Sequence, residues 1–139
     1  MGKVIAENIC GRDDMKIVAG IDRNTYPNQY NNPYDYNGIV DVVVDFSHPE
    51  NLQNVLAYAT DKNIPAAIGT TGYDEKQFSD MRIAAKTIPI LYSQNMSLGI
   101  NALLGIINDI CRYLGKDFDV AIIEKHHNKK IDSPSGTAY

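Results

Sequence analysis

Apolar residues follow two alternating patterns along this chain: short continuous runs, and longer segments in which they recur three or four positions apart. A short apolar run is typical of a buried strand, whereas the longer spacing is typical of an amphipathic helix. The predicted strands are residues 15–21, 39–46, 65–69, 88–92 and 118–123. The predicted helices are residues 1–9, 48–59, 75–86 and 100–114. Strands that alternate with helices at short intervals predict an α/β fold with a parallel sheet.

One junction between a strand and a helix is marked in detail. Residues 39–46 form a nearly continuous β-branched run, the pattern of a strand buried on both faces of a parallel sheet. The next four residues have the S-x-x-E form of a capping box, so we expect Ser47 to cap the following helix. His48 is then expected to be a surface or capping side chain and not a catalytic one.

The other helices differ in how strongly their apolar faces are marked. The first, at residues 1–9, is expected to end at Gly11, and Asp74 is expected to cap the third. The last has the strongest apolar stripe, which predicts packing in the core and not a cofactor site. That stripe consists of Ile100, Leu103, Leu104, Ile107, Ile110, Cys111 and Leu114.

Composition and charge exclude several classes of function. The 139 residues are 44% apolar and 22% charged, which is ordinary for a soluble domain. A net charge of −4 without a basic run argues against a nucleic-acid partner, and no apolar run is long enough to predict a membrane partner or a signal peptide. Cys10 and Cys111 lie far apart and lack metal-ligand spacing, so reduced core thiols in a cytoplasmic protein are expected.

Residues 124–137 concentrate several kinds of side-chain chemistry. His126 and His127 are able to supply a proton near neutral pH, and Lys130 adds a cation. Residues 133–137 read as a helix start, where free backbone N–H groups and hydroxyls bind anions. This combination suits a small substrate that carries carboxylates and requires a proton. The alternative is a polar surface turn after a strand.

Two other segments have the features of a nucleotide site. Asp22 and Arg23 follow a short apolar strand, where a dinucleotide fold places an acid on the adenosine ribose. A solvated Asp-Arg pair at the end of a strand is the alternative reading. Residues 69–72, Gly-Thr-Thr-Gly, allow the backbone and the threonine hydroxyls to approach a ligand.

A longer motif resembles a known family. Residues 124–138 match every fixed position of the signature E-x-H-H-x-x-K-x-D-x-P-S-G-T-A of the bacterial dihydrodipicolinate reductase family. Residues 45–50 are similar to the family's D-F-[ST]-x-P-E, and residues 69–73 to its G-T-T-G-[FY]. Residues 93–97 are similar to its A-x-N-x-S, except that Ser93 replaces the alanine.

The resemblance implies a reaction and roles for residues of the signature. The reaction is reduction of 4-hydroxy-tetrahydrodipicolinate, a small dicarboxylate substrate, by NADH or NADPH in diaminopimelate and lysine biosynthesis. The resemblance assigns acid/base catalysis to His126 and proton donation to Lys130. It assigns the binding of the substrate carboxylates to His127, Gly136 and Thr137. A nearby acid favours hydride transfer to an imine because it neutralises the charge that develops.

The resemblance also implies a set of cofactor-binding residues at the ends of strands. Asp22 would accept from the ribose hydroxyls, whereas Arg23 would meet the 2′-phosphate of NADPH. The full set is Asp22, Arg23, Phe46, Ser47, Gly69, Thr70, Thr71, Ser93, Gln94, Asn95 and Met96. Ligands of parallel sheets bind at the carboxyl ends of the strands, so we expect these four segments to converge on one crevice. No metal is expected.

The domain organisation follows from the same resemblance. Residues 1–95 are expected to form a Rossmann-type nucleotide domain that lacks its first strand and most of its Gly-rich turn. Residues 96–139 are expected to begin an α+β substrate and oligomerisation domain. The complete protein is expected to be a homotetramer, and the 139-residue chain by itself is expected to be inactive. Residues 24–38 have no hydrophobic period and predict an irregular crossover, with the outermost strand missing or very short.

Other functions remain open at this point. Another two-domain NAD(P)-dependent dehydrogenase would share the nucleotide half but not the whole signature, and an inactive fragment of the reductase would retain the motifs. A metal-binding module built from Glu124, His126 and His127 is disfavoured. On a strand the first two would face one side and the third the other, whereas zinc requires at least three converging ligands.

Overall fold

The computed structural model describes residues 1–22, 29–126, 128 and 135. The chain divides into two compact units, Met1–Leu91 and Tyr92–Tyr139. The first contains most of the larger sheet and the buried core, and from residue 43 onward its strands and α-helices alternate as the sequence predicts. The architecture is α/β with parallel strand pairs, consistent with a Rossmann-like nucleotide-binding domain.

The strands form two separate sheets among the described residues. In the smaller sheet, β1 (Gly20–Ile21) and β2 (Gln29–Tyr30) pair in parallel. In the larger sheet the order is β3 (Val43–Asp45), β4 (Ala66–Ile68) and β5 (Ile90–Tyr92). Strands β3 and β4 are parallel, with Asp45 opposite Ile68 at their last residues.

The described residues form four α-helices before, between and after these strands: α1 (Gly2–Ile9), α2 (Leu52–Lys62), α3 (Glu75–Ala84) and α4 (Leu98–Leu114). Short 3₁₀ turns occur at Pro33–Asp35, Pro49–Asn51 and Gly115–Asp117. Within the described residues no helix is long and apolar enough to cross a membrane.

Helices α2 and α3 contact each other, and α2 also contacts β3. The apolar positions predicted for α2 are confirmed, because Leu52, Val55, Leu56 and Ala59 are all buried. The other buried apolar side chains are Tyr58, Ala66, Ile68, Met81, Ala84 and Ile88. The core of the first unit therefore lies against β4 and between helices α2 and α3.

The predicted strands are shorter in the structure than in the sequence pattern. Residues 15–19 carry no strand, so the predicted first strand is reduced to β1. The prediction of a strand buried on both faces at 39–46 is wrong, since Ile39 is 85% exposed and Val42 and Val44 are each 48% exposed. A strand needs a hydrogen-bonded partner along its length, and an apolar run by itself does not supply one.

The helix ends show which of the predicted capping residues form a cap in the structure. Asp74 caps α3 as predicted: its Oδ1 accepts the Gln77 N–H at 2.7 Å, and Gln77 Oε1 accepts the Asp74 N–H at 3.0 Å. The predicted cap at Ser47 is wrong. His48 Nδ1 instead accepts the Glu50 N–H at 3.5 Å, so the prediction that His48 is a surface or capping side chain is confirmed.

The first helix ends as predicted, although its apolar face is not buried. Gly11 follows α1 with φ +84°, a left-handed conformation that glycine adopts without strain. Arg12 then pairs with Asp14 at 2.6 Å, and this hydrogen-bonded guanidinium lowers the pKa of the Asp14 carboxyl. The pair is exposed, so we assign it little stabilising effect.

The second unit departs from the sequence prediction in two ways. Helix α4 forms as predicted, with Ser97 as its N-cap and Gly115 at its end, but none of its residues is buried. The prediction that its stripe packs in the core is therefore wrong for the described residues. The predicted strand at 118–123 is also absent, and its apolar side chains are exposed, with Ile123 at 87%.

The two thiols are free, as predicted, but neither lies in the core. Cys10 is exposed and Cys111 is half-buried. The exposure of each thiol follows from the exposure of the helix beside it. Cys111 belongs to the α4 stripe, and Cys10 directly follows α1 as its C-cap.

The capping box of α3 provides a test of local stability. Asp74→Ala removes one acceptor from the first turn of α3 and is expected to lower the free energy of unfolding by about 0.5–2 kcal/mol. Urea denaturation of the 139-residue chain measures this change. The matched control is Asp41→Ala in an exposed loop, where a change below about 0.5 kcal/mol is expected. Equal effects of the two substitutions would contradict the capping role.

Candidate functional site

The carboxyl ends of β3 and β4 lie side by side because the two strands are parallel and in register to their last residues. Two turns leave the sheet at this edge: residues 46–48, called here the β3 turn, and residues 69–73, called the β4 turn. The edge is where ligands of parallel α/β sheets bind. Two of the four segments that were expected to converge on one crevice are therefore neighbours.

A buried carboxylate joins the two turns. Asp45, which is 5% exposed, ends β3. Its Oδ1 accepts the backbone N–H of Ser47 at 3.2 Å and the Ser47 hydroxyl at 2.5 Å. Its Oδ2 accepts the hydroxyls of Thr70 at 2.8 Å and Tyr73 at 3.3 Å. All four partners are donors, which is what the acceptor-only oxygens of a carboxylate require.

Thr70 is the second point of contact between the turns. Its hydroxyl oxygen accepts the Ser47 N–H at 2.8 Å while donating its proton to Asp45. The residue is 5% exposed. The only proton of this hydroxyl is therefore already used inside the protein, and Thr70 can offer a ligand only one acceptor lone pair and its backbone.

The backbones of the two turns also approach closely. The Gly69 N–H donates to the Asp45 carbonyl oxygen at 2.8 Å, which extends the pairing of β3 and β4 by one bond. A Cβ at Gly69 would lie 2.2 Å from Cε1 of Phe46, far inside contact distance. Any larger residue at position 69 must therefore displace the aromatic ring of the β3 turn, which occupies the space of a side chain.

The helix after the β4 turn adds a further link. Gln77 Nε2 of α3 donates to the carbonyl oxygen of Pro49 at 2.7 Å. This bond joins the first turn of α3 to the 3₁₀ turn that follows β3. The candidate site is thus held by side chains from both turns and from the helix beneath them.

The predicted ribose-binding acid lies at the end of the smaller sheet. The Asp22 N–H donates to the Tyr30 carbonyl oxygen at 3.0 Å, and the residue is exposed at the end of β1. Arg23 lies outside the described residues. The roles predicted for both remain predictions.

The segment 93–97 forms a compact turn in the second unit. Ser93 Oγ donates to the Asn95 carbonyl oxygen at 2.9 Å, and the Ser97 N–H donates to Asn95 Oδ1 at 2.9 Å. Asn101 Nδ2 donates to the same Asn95 carbonyl at 2.8 Å. These bonds fix the entry to α4, whose N-cap is Ser97, and Gln94 and Met96 lie within the same turn.

The signature segment is described in part. Glu124 accepts the Ser135 N–H at 2.7 Å and also the Ser135 hydroxyl, and Ser135 is 4% exposed. His126 Nδ1 lies 3.8 Å from Glu124 Oε2. His127, Lys130, Gly136 and Thr137 lie outside the described residues. The contact shows that Glu124 joins the two halves of the signature across 11 residues.

The sequence patterns predict no role for two residues of these networks, Asp45 and Tyr73, and they suggest a third, Glu124, only as a disfavoured metal ligand. Each was nevertheless a fixed position of a quoted motif. Asp45 opens D-F-[ST]-x-P-E, the tyrosine follows Gly-Thr-Thr-Gly, and Glu124 opens the long signature. An acid at the end of an apolar strand, followed by a hydroxyl two residues later, was the signal for the Asp45 network.

Comparison with known proteins gives matches over almost the whole chain. The family model "Dihydrodipicolinate reductase, N-terminus" matches residues 1–96, and "Dihydrodipicolinate reductase, C-terminus" matches residues 99–139. A relative from Clostridium tetani named 4-hydroxy-tetrahydrodipicolinate reductase is 43% identical over 144 residues, which cover 99% of this chain and 56% of the relative. A Rickettsia rickettsii protein of the same name is 42% identical over 141 residues, with the same two coverages. The chain thus spans 56% of the length of these curated relatives.

The contact between Gly69 and Phe46 is testable by substitution. Gly69→Ala is expected to lower the free energy of unfolding by about 1–3 kcal/mol because the new methyl group must displace the ring. The loss should shrink in a Phe46→Ala background, and a double-mutant cycle measured by urea denaturation gives this coupling. Gly105→Ala is the control for a Cβ that meets nothing within 4 Å, and because it lies inside α4 it should raise the free energy of unfolding by up to about 1 kcal/mol and not lower it. Additive effects of the two substitutions at 46 and 69 would contradict the contact.

Proposed function

The chain belongs to the dihydrodipicolinate reductase family, and from this premise we propose that it carries the reductase activity of that family in a protein of the relatives' length. The reaction is the NAD(P)H-dependent reduction of 4-hydroxy-tetrahydrodipicolinate to tetrahydrodipicolinate, in diaminopimelate and lysine biosynthesis. The observation that carries the proposal is the signature at residues 124–138, which is complete at every fixed position. The edge formed by β3 and β4 supports it.

The residues at this edge fit a nicotinamide cofactor. Two parallel strands end together, Phe46 offers an aromatic ring, and Gly69 brings the backbone of the β4 turn against it. We propose that Phe46, Ser47, Gly69, Thr70 and Thr71 hold the nicotinamide half, together with residues 93–96. The bound cofactor supplies the hydride. NADH and NADPH are both proposed, with Asp22 on the ribose and Arg23 on the 2′-phosphate.

The signature residues supply the proton and the substrate contacts. We propose that Lys130 donates the proton and that His126 serves as acid or base, while the backbone and side chains at His127, Gly136 and Thr137 bind the substrate carboxylates. The Glu124 carboxylate, 3.8 Å from Nδ1 of His126, supports this by placing an acceptor beside one ring nitrogen. The contact between Glu124 and Ser135 supports it as well, because the carboxylate that lies beside the imidazole also binds Ser135, a fixed residue of the signature.

The domain organisation proposed from the sequence is a nucleotide domain at residues 1–95 and a substrate domain from residue 96 onward. The division of the chain after Leu91 and the change of family model between residues 96 and 99 support it. We further propose that the complete protein is a homotetramer in the cytoplasm. Sedimentation of a protein of the relatives' length would measure the oligomeric state.

The proposed proton donor is tested in a chimaera. The segments of the Clostridium tetani relative that lie outside the match are joined to this chain, and turnover is followed by NADH absorbance with freshly generated substrate. Lys130→Ala is expected to lower kcat by about 10²- to 10⁴-fold with little change in the Kd of NADH, and His126→Gln is expected to behave similarly. The reason is that both act in the chemistry and not on the cofactor.

Lys125→Ala is the matched control, because this exposed lysine occupies a variable position of the same signature. It should retain normal turnover. Near-normal kcat in Lys130→Ala and His126→Gln would remove both residues from the mechanism.

The cofactor preference is tested at position 23 in the same chimaera. Arg23→Ala is expected to raise KM for NADPH by about 10-fold and to leave KM for NADH nearly unchanged, since only NADPH carries the 2′-phosphate. Arg82→Ala, on the exposed face of α3, serves as the control for loss of one positive charge. Equal changes for the two cofactors would show that Arg23 does not contact the phosphate.

A further inference from the structure

The hydrogen bonds of Asp45 exceed what the fold of the first unit requires. The register of β3 and β4 is already fixed by backbone pairing, which continues beyond the strands through the Gly69 N–H. The buried apolar side chains of α2 and β4 hold the helix layer against the sheet. The side chain of Asp45 adds four hydrogen bonds to the two turns that leave the sheet.

These bonds orient particular groups of the turns. Ser47 is held by both its N–H and its hydroxyl, and the N–H is shared between Asp45 and Thr70. Thr70 is held as a donor and as an acceptor at the same time. A hydroxyl with one proton and one accepted hydrogen bond has little capacity left for a ligand. Thr71 is half-buried, and in the part of the chain that the structure describes its hydroxyl makes no hydrogen bond.

We propose that Asp45 is a positioning residue for the cofactor: its buried carboxylate holds the β3 and β4 turns together and engages Thr70, so that Thr71 presents its hydroxyl to the cofactor. The inference rests on the proposed function, since it concerns the same site. Asp45 and the Thr70 side chain act through the turns and do not touch the cofactor. Ser47 and Thr71, with the backbone of Gly69, form the surface that they position.

The cost of disturbing this arrangement falls on the two groups that Thr70 contacts. Thr70→Val keeps the shape of the side chain but removes one donor from the buried Asp45 carboxylate and leaves the Ser47 N–H with only its longer bond to Asp45, at 3.2 Å. The loss of a donor to a buried carboxylate is unfavourable enough that we expect the turns to shift towards water or another donor. Thr70→Ser keeps the hydroxyl and is expected to preserve both bonds.

The experiment measures the bonds and their effect on the cofactor separately. Amide hydrogen exchange of the 139-residue chain reports the Ser47 N–H, and titration of NADH into the chimaera reports Kd. In Thr70→Val and Asp45→Asn, Ser47 should exchange at least about 10-fold faster and Kd should rise about 10-fold, with kcat at saturating cofactor lowered less than about threefold. Thr70→Ser should keep both the exchange rate of Ser47 and the Kd of NADH close to those of the unsubstituted protein. Thr71→Val should weaken binding without changing the exchange of Ser47.

Asp80→Asn is the matched control, since Asp80 also accepts a side-chain hydrogen bond in the first unit, from Gln53 at 2.5 Å between α2 and α3. It should leave both readouts unchanged. If the Ser47 N–H exchanges faster in Thr70→Val but NADH binds normally, the bonds are only structural and the proposal is wrong. Unchanged exchange in Thr70→Val would show that the bonds of Thr70 do not hold Ser47, and the proposal would again be wrong. Failure of the unsubstituted chimaera to bind NADH would instead overturn the proposed function, and with it the role of Asp45 in cofactor binding.

Discussion

The buried carboxylate of Asp45 constrains the part of the structure on which the proposed function depends. It joins turns whose contacting residues are 25 positions apart in the chain, and it does so where two parallel strands end. A carboxylate removed from water must be supplied with donors, so Ser47 and Thr70 have little freedom to move or to change chemistry. A single desolvated side chain thereby links the two turns at the edge of the sheet.

The remainder of the first unit provides a rigid base for this edge. Leu52, Ile68 and Ile88 are the largest fully buried side chains, and they come from α2, from β4 and from the segment before β5. The capping box of α3 and the bond from Gln77 to Pro49 hold the next helix beneath the same turns. A site supported by strands and a packed core is held more precisely than one built on loops alone.

The second unit presents a different relation between pattern and packing. Helix α4 has a continuous apolar stripe, yet Leu103 and Ile110 are each 50% exposed. An apolar stripe stabilises a protein only when another surface covers it. Helical periodicity determines where the apolar face lies, but the covering surface belongs to tertiary structure. In the same unit the side chain of Glu124 nevertheless binds Ser135, which is 11 residues further along the chain.

The sequence by itself determined the family, the α/β class and the positions of the main helices, because motifs, apolar periodicity and caps are local properties. It also determined that Asp74 would cap α3. Tertiary structure decided the lengths of the strands, since a strand extends only where a partner completes its hydrogen bonds. It likewise decided the hydrogen bonding of Ser47, whose local pattern predicted a helix cap. The Asp45 carboxylate lies within 2.5 Å of that hydroxyl and takes its proton, and the Thr70 hydroxyl that completes the network comes from a turn distant in the chain.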